Sequence, residues 1–172
     1  MNKNSINTRL LTVDPGDHTG VAFWDALDIL HPEVDSFQLP KNIKMLSNEE
    51  QFCFMINMFR CVLIAYKPDY VIIEGTQVYL SSSVSLMSAG RGDLIKLTTL
   101  IGGYCAMCHS LEIRFKVLTA SKWKGQMSKS ATFAQVNHIT GGMFDMIRNE
   151  HTIDAVGIGL SHFGYLPIGR LK

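Results

Sequence analysis

The 172-residue sequence lacks the long apolar segments of membrane and exported proteins. No run of roughly 18 apolar residues occurs, which argues against a transmembrane helix. Residues 1–5 are polar and are not followed by the apolar core of a signal peptide, so we expect a cytoplasmic location. There is also no internal repeat and no low-complexity tract. We expect one globular domain over residues 1–172, with a flexible lead at 1–8 and a tail at 165–172.

The spacing of the cysteines does not complete a zinc site. Of the four cysteines, Cys105 and Cys108 form a CxxC pair. No second pair of cysteines or closely spaced histidines supplies the other half of a tetrahedral zinc site. We therefore expect free, buried thiols, with Cys53 and Cys61 in the core side of an apolar helix.

The sequence also lacks a strong net charge. A value of +1 does not by itself indicate nucleic acid as a partner. The distribution is uneven, because residues 1–90 hold 6 basic and 10 acidic residues whereas residues 91–172 hold 10 and 5. Such asymmetry suits a surface that faces phosphates, although an ordinary solvated surface, taken alone, explains it better.

What the sequence does contain is an ordered series of strand and helix patterns. Three strands come first and are predicted to form an antiparallel meander; helices then separate two further strands. The predicted strands span residues 9–14, 20–25, 34–39, 70–74 and 113–118, and the predicted helices span 47–66, 81–111, 129–139 and 149–163. This order predicts an α/β fold of the ribonuclease-H-like type, with a mixed five-stranded sheet (three antiparallel strands, then two parallel) flanked by helices.

Acidic residues close two of the predicted strands. Asp14 ends the first strand and Glu74 ends the fourth, and an unpaired carboxylate is costly to bury there. His151 and Asp154, three residues apart, share one face of the last helix. In this fold the ends of strands one and four are neighbours and the last helix crosses them. The four side chains are therefore predicted to form one cluster.

Each of these residues, taken singly, has a simpler explanation. Asp14 precedes Pro15 and suits a turn, Glu74 suits an exposed strand end, and an acidic residue such as Asp154 suits the first turn of a helix. Their joint occurrence at converging positions favours a metal site. Oxygen ligands with one imidazole suit Mg²⁺ or Mn²⁺, and two such ions about 4 Å apart can hydrolyse a phosphodiester. His151 either binds a metal or activates the water.

Five short motifs, in this order and spacing, make a family resemblance specific. The sequence resembles the RuvC-type Holliday junction resolvases from about Arg9 to Tyr165. The motifs are Val13-Asp14-Pro15-Gly16 followed by Thr19-Gly20, Ile73-Glu74 followed by Gln77-Val78-Tyr79, Ser88-Ala89-Gly90-Arg91-Gly92, Met127-Ser128-Lys129, and His151-Thr152-Ile153-Asp154-Ala155.

The resemblance implies a homodimeric, Mg²⁺-dependent endonuclease that nicks four-way DNA junctions in pairs, with Mn²⁺ able to substitute. Asp14, Glu74, His151 and Asp154 would be the catalytic residues and would hold two ions per site. DNA contacts would come from Arg91, Lys122, Lys124 and Lys129, with Tyr79 either stacking near the junction centre or packed in its loop. The compact size suggests a phage or mobile-element member, acting in a bacterial or phage-infected cell.

Three other functions compete with this interpretation. The first is a nuclease of the same fold that acts on branched DNA generally, or on RNA. The second is an actin-like or sugar-kinase-like ATPase, whose hairpin also carries Asp and Gly, but such chains are much longer and have a second phosphate loop. The third is a non-catalytic junction-binding protein, which would not need four metal-binding groups.

Overall fold

The structure is a computed structural model that describes residues 9–25, 28–76, 92–145 and 149–166. Within these ranges, no helix combines the length and the apolar character needed to cross a membrane. The strands are β1 (Leu10–Asp14), β2 (His18–Trp24), β3 (Glu33–Gln38), β4 (Tyr70–Gly75) and β5 (Arg114–Thr119). The α-helices are α1 (Asn48–Tyr66), α2 (Asp93–Ser110), α3 (Ala120–Trp123), α4 (Lys129–Ile139) and α5 (Glu150–His162).

The five strands form one mixed sheet in the order β3-β2-β1-β4-β5. β1 pairs antiparallel with β2, and β2 pairs antiparallel with β3. β4 pairs parallel with both β1 and β5. The predicted mixed sheet of three antiparallel and two parallel strands is thereby confirmed.

Helices cover the sheet on both faces, because the central strands are apolar on both sides. Val71, Ile72 and Ile73 of β4 are all buried. Ile73 joins a core with α1 and α2, whereas Ile72 joins a second core with α5 and Trp123. An unbroken apolar strand has no face suited to water, so it requires this three-layer arrangement.

Helix α1 begins at a capping box, at the start predicted for the helix over residues 47–66. The Ser47 hydroxyl accepts a hydrogen bond from the Glu50 amide, and the Glu50 carboxylate accepts one from the Ser47 amide. The helix buries Met55, Phe59 and Leu63 against the sheet. This pairing fixes the start of the helix, as the sequence predicts.

Helix α5 lies unusually close to the sheet, and this placement builds the candidate site. A Cβ at Gly20 would lie 2.2 Å from the backbone carbon of His151, and one at Gly159 would lie 2.0 Å from the Trp24 ring. The Thr12 hydroxyl also donates a hydrogen bond to the Ala155 carbonyl at 2.6 Å. Only glycine at these two contact points lets the helix backbone approach β1 and β2 so closely.

Several boundaries differ from prediction. β2 begins at His18, because the turn after Asp14 is short. The segment 119–128, which lies between the predicted strand at 113–118 and the predicted helix at 129–139, contains the short helix α3. Helix α2 begins at Asp93; the part of the predicted helix at 81–91 lies outside the described residues.

The predicted burial of Cys53 and Cys61 is wrong. Both thiols are exposed, whereas Cys108 is buried and Cys105 half-buried, and all four cysteines are free. Cys53 and Cys61 each lie two residues from a buried position of α1, which turns them about 200° away from the sheet. The wide apolar pattern of α1 hides this difference in the sequence.

Candidate metal centre

Three carboxylates meet where β1, β4 and α5 converge. Val13 and Ile73 are register partners in the parallel pair, so the next residues, Asp14 and Glu74, leave the same edge of the sheet side by side. Helix α5 adds Asp154 across that edge. One oxygen from each of the three carboxylates lies within 4.8 Å of the others. This is a compact set of hard oxygen donors.

Glu74 is strongly perturbed by this setting. Its Oε2 atom is buried and has no hydrogen-bond partner. Burial, followed by the negative charge of Asp14, raises the pKa of Glu74 to about 8, against an opposing effect of Lys124. The Trp123 indole lies close enough to lower this pKa slightly, although its Nε1 forms no hydrogen bond of normal geometry. Glu74 therefore favours its ionised form only where another positive charge is supplied.

Asp14 is the carboxylate that contacts His151. The His151 Nδ1 atom lies 2.7 Å from Asp14 Oδ2 and donates to it. Burial raises the pKa of Asp14, and the hydrogen bond from His151 opposes this rise. In return, the hydrogen bond to Asp14 raises the pKa of His151. The His151 side chain is 39% exposed, so it lies at the mouth of the site and not among the three carboxylates.

Lys124 lies inside the site. Its Nζ atom donates to Asp154 Oδ2 at 2.8 Å, and the two side chains are only 15% and 13% exposed. The same ammonium group lies 4.6 Å from the centre of the Trp123 ring. It also lowers the pKa of both Asp14 and Glu74. Among the described residues predicted to contact DNA, Lys124 alone touches an acidic residue of the three-carboxylate cluster.

A contact that the sequence analysis missed supports the start of α5. Asn149 caps this helix: its Oδ1 atom accepts from the His151 amide at 3.1 Å. Its Nδ2 atom donates to Nε2 of His18 at 2.9 Å, and the His18 ring lies 5.9 Å from the His151 ring. The signal in the sequence is the position of His18, four residues after Asp14 and at the start of the strand that pairs with β1.

The other predicted DNA contacts lie outside the cluster. Lys129 begins α4 and forms an ion pair with Glu150, and both side chains are largely exposed. Lys122 is exposed on α3. A groove of about 740 Å³ passes between Lys129 and Asp154; Phe133 and Ile153 also line it. Tyr79 and Arg91 lie outside the described residues.

The residues present fit a divalent cation. Three clustered carboxylates, one of them with an unpartnered buried oxygen, are costly to ionise together unless positive charge is bound. Mg²⁺ and Mn²⁺ prefer such oxygen ligands. Asp14, Glu74 and Asp154 could therefore hold the metal, and His151 contacts one of these ligands directly.

Solved structures with a similar fold include Holliday junction resolvases. No protein-family model matches the chain, and no curated protein matches its sequence. Thermus thermophilus RuvC in complex with a Holliday junction substrate superposes with a TM-score of 0.68 at 17% identity, over 94% of this chain and 96% of that one. A further structure of Thermus thermophilus RuvC gives a TM-score of 0.65 at 16% identity, over 91% and 94%.

A more distant structure extends the same likeness. The yeast mitochondrial Holliday junction resolvase Ydc2 superposes with a TM-score of 0.59 at 9% identity, over 97% of this chain and 84% of that one. Sequence identities this low support a shared fold but not a shared activity. The chain has the fold of the RuvC-type Holliday junction resolvases.

Proposed function

We propose that the protein is a metal-dependent endonuclease that resolves four-way DNA junctions by paired, symmetric nicks. The observation that carries this proposal is the cluster of Asp14, Glu74 and Asp154 at the converging ends of β1, β4 and α5. In a fold shared with junction resolvases, such a cluster suits phosphodiester hydrolysis.

The site residues have two roles in this proposal. Asp14, Glu74 and Asp154 would hold two Mg²⁺ ions, for which Mn²⁺ can substitute, and His151 would be a further ligand or the base for water. When bound, the ions supply an activated water and stabilise the leaving oxygen. His151 is held towards Asp14 by its Nδ1 hydrogen bond, which leaves Nε2 on the outer side of the ring. That orientation suits proton transfer at the mouth of the site.

The basic residues around the site are proposed to hold the DNA backbone. Lys129 lines the groove next to Asp154, and Lys122 projects from α3 nearby in the sequence. Tyr79 and Arg91 are proposed to join them on the basis of the sequence resemblance. A homodimer places two equivalent sites on a junction that offers two equivalent strands, which accounts for paired cutting.

A substrate panel tests this function. Labelled four-way junction, linear duplex, flap and fork are each incubated with the protein and Mg²⁺, and with EDTA as a control. We expect cutting of the four-way junction, strongly reduced cutting of linear duplex, and no cutting in EDTA. Asp35→Asn, on the exposed outer strand β3 away from the carboxylates, serves as a matched acidic-residue control and should cut normally.

The panel also separates the competing functions. Equal cutting of the junction, flap and fork would identify a general branched-DNA nuclease. Binding of the junction without cutting, in both Mg²⁺ and Mn²⁺, would contradict the nuclease proposal and identify a binding protein.

A further inference from the structure

A largely buried lysine contacts one of the three clustered carboxylates. Lys124 donates to Asp154 Oδ2 at 2.8 Å, and neither side chain is more than 15% exposed. The Trp123 ring, itself fully buried, lies beneath the ammonium group at 4.6 Å. Because the backbone of α5 passes directly over this ring at Gly157, the support for Lys124 is rigid. The ammonium group is therefore a built part of the site.

The charges of the site explain why this matters. When all three carboxylates are ionised, they and the ammonium group of Lys124 give a net charge of about −2, which a single divalent cation neutralises. The ammonium of Lys124 already occupies one oxygen of Asp154. A cation bound to the same carboxylate would lie within a few ångströms of this ammonium and be repelled by it. Two divalent cations together with Lys124 would give the site a net positive charge unless negative charge is added.

We propose that Lys124 is a resident cation that occupies the Asp154 side of the site until DNA binds. In DNA-free protein only one divalent cation then binds tightly, on the side of Asp14 and Glu74. The phosphate of bound DNA attracts Lys124 away from Asp154 and supplies the charge that a second cation requires. This inference rests on the proposed metal-dependent nuclease function and adds a condition to it.

Mn²⁺ binding to DNA-free protein tests the inference without measuring cleavage. Free Mn²⁺ is counted by electron paramagnetic resonance for the wild type, for Lys124→Met and for the control Lys122→Met. The control removes the same charge from an exposed position of α3. We expect one tight ion for the wild type and for the control. Lys124→Met should bind a second ion, or bind the first at least about tenfold more tightly, because an unscreened nearby charge is removed.

The Mn²⁺ measurements separate failure of this inference from failure of the proposed function. Two tight ions on DNA-free wild type, or identical Mn²⁺ binding by the wild type and Lys124→Met, would overturn the inference. Metal binding as expected but no junction cleavage would leave the inference standing and contradict the proposed nuclease function instead.

A second measurement uses only the wild-type protein, in case Lys124→Met does not fold. The side-chain ammonium of Lys124, protected by Asp154, is followed by proton–nitrogen NMR during a Mg²⁺ titration. Its signal should persist through the first equivalent of Mg²⁺ and change when junction DNA is added. Loss of the signal at the first equivalent would show that metal alone displaces Lys124 and would overturn the inference.

Discussion

Two lysine–carboxylate pairs beside the candidate metal centre differ mainly in burial. Lys124 pairs with Asp154 and Lys129 with Glu150; the two acidic residues are one turn apart on α5. The side chains of the inner pair are 15% and 13% exposed, and those of the outer pair are 68% and 65% exposed. Both lysines belong to the set predicted to contact DNA.

The difference shows that burial decides what each pair can do. The outer pair is screened by water, so it contributes little to stability and a DNA phosphate can replace Glu150 with little loss. The inner pair interacts electrostatically with Asp14 and Glu74 in a poorly solvated space. Removal of one partner there leaves the charge of the other uncompensated. Under the proposed function, we expect the inner pair to affect the chemical step and the outer pair to affect contact with DNA.

The largest effect should come from removing one of the clustered carboxylates that are proposed to bind metal. Asp14→Asn should lower the rate of junction cleavage at least about a thousandfold, because loss of metal ligation costs several kcal/mol of transition-state stabilisation. Junction binding should be retained. Single-turnover cleavage and gel-shift measurements check both parts, and cleavage at the wild-type rate would contradict the site assignment.

The carboxylate cluster should also make the free energy of unfolding fall as pH rises. Glu74, whose folded pKa is about 8, holds a proton that the unfolded chain releases near its ordinary pKa. The metal-free protein should therefore lose on the order of 3 kcal/mol of unfolding free energy between pH 5 and 8. The pKa of His151 is also raised, so its stabilisation, complete at low pH, is lost in the same direction as pH rises through its folded value.

The outer pair should not contribute over that range. Its hydrogen bond from Lys129 lowers the pKa of Glu150, so the stabilisation from this pair is lost only at lower pH, as pH falls through that value. Urea unfolding in EDTA from pH 5 to 8 checks the slope. Glu74→Gln should reduce the slope of unfolding free energy against pH, and Glu150→Gln should leave it unchanged. An equal slope in wild type and Glu74→Gln would disprove the assignment of the effect to Glu74.

Replacing the inner lysine should mainly slow catalysis. Lys124→Met should reduce the cleavage rate about a hundredfold with a small change in the Kd for the junction, since a buried positive charge near the phosphate acts on the transition state. Rates at saturating protein, beside Kd values, make the distinction. Weaker junction binding with an unchanged cleavage rate would show that Lys124 acts on DNA binding, as expected for the outer pair.

The smallest effect should come from the outer lysine. Lys129→Met should weaken junction binding a few-fold and reduce the dependence of log Kd on log salt by about one unit, as expected for one lost phosphate contact. The cleavage rate at saturation should change less than in Lys124→Met. A salt dependence identical to that of the wild type would show that Lys129 does not contact the backbone.

The sequence analysis succeeded where local chemistry decides structure. Ser47 and Glu50 define the start of α1, and the Val71-Ile72-Ile73 run identifies a strand buried on both faces. It also placed Asp14 and Glu74 side by side at the ends of neighbouring parallel strands, with Asp154 on the helix that crosses them. His151, predicted in the same cluster, contacts Asp14 from its edge.

The remaining features depend on tertiary contacts. Nothing in the order Lys122-Trp123-Lys124 states which lysine enters the acidic cluster; the buried Trp123 and the close approach of α5 at Gly157 determine it. His18 and Asn149 are distant in the sequence and meet only because Gly20 lets α5 approach β2. Cys53 and Cys61 are exposed because an apolar helix has more apolar residues than the sheet can cover.

The central claim is that this carboxylate cluster cuts four-way junctions in a metal-dependent and symmetric way. The most direct test adds Mg²⁺ to protein bound to a junction with all four strands labelled, and maps the cuts at nucleotide resolution. The account predicts paired nicks at symmetry-related positions of two opposing strands, absent in EDTA and in Asp14→Asn. A fully bound junction that stays uncut in both Mg²⁺ and Mn²⁺ would contradict it.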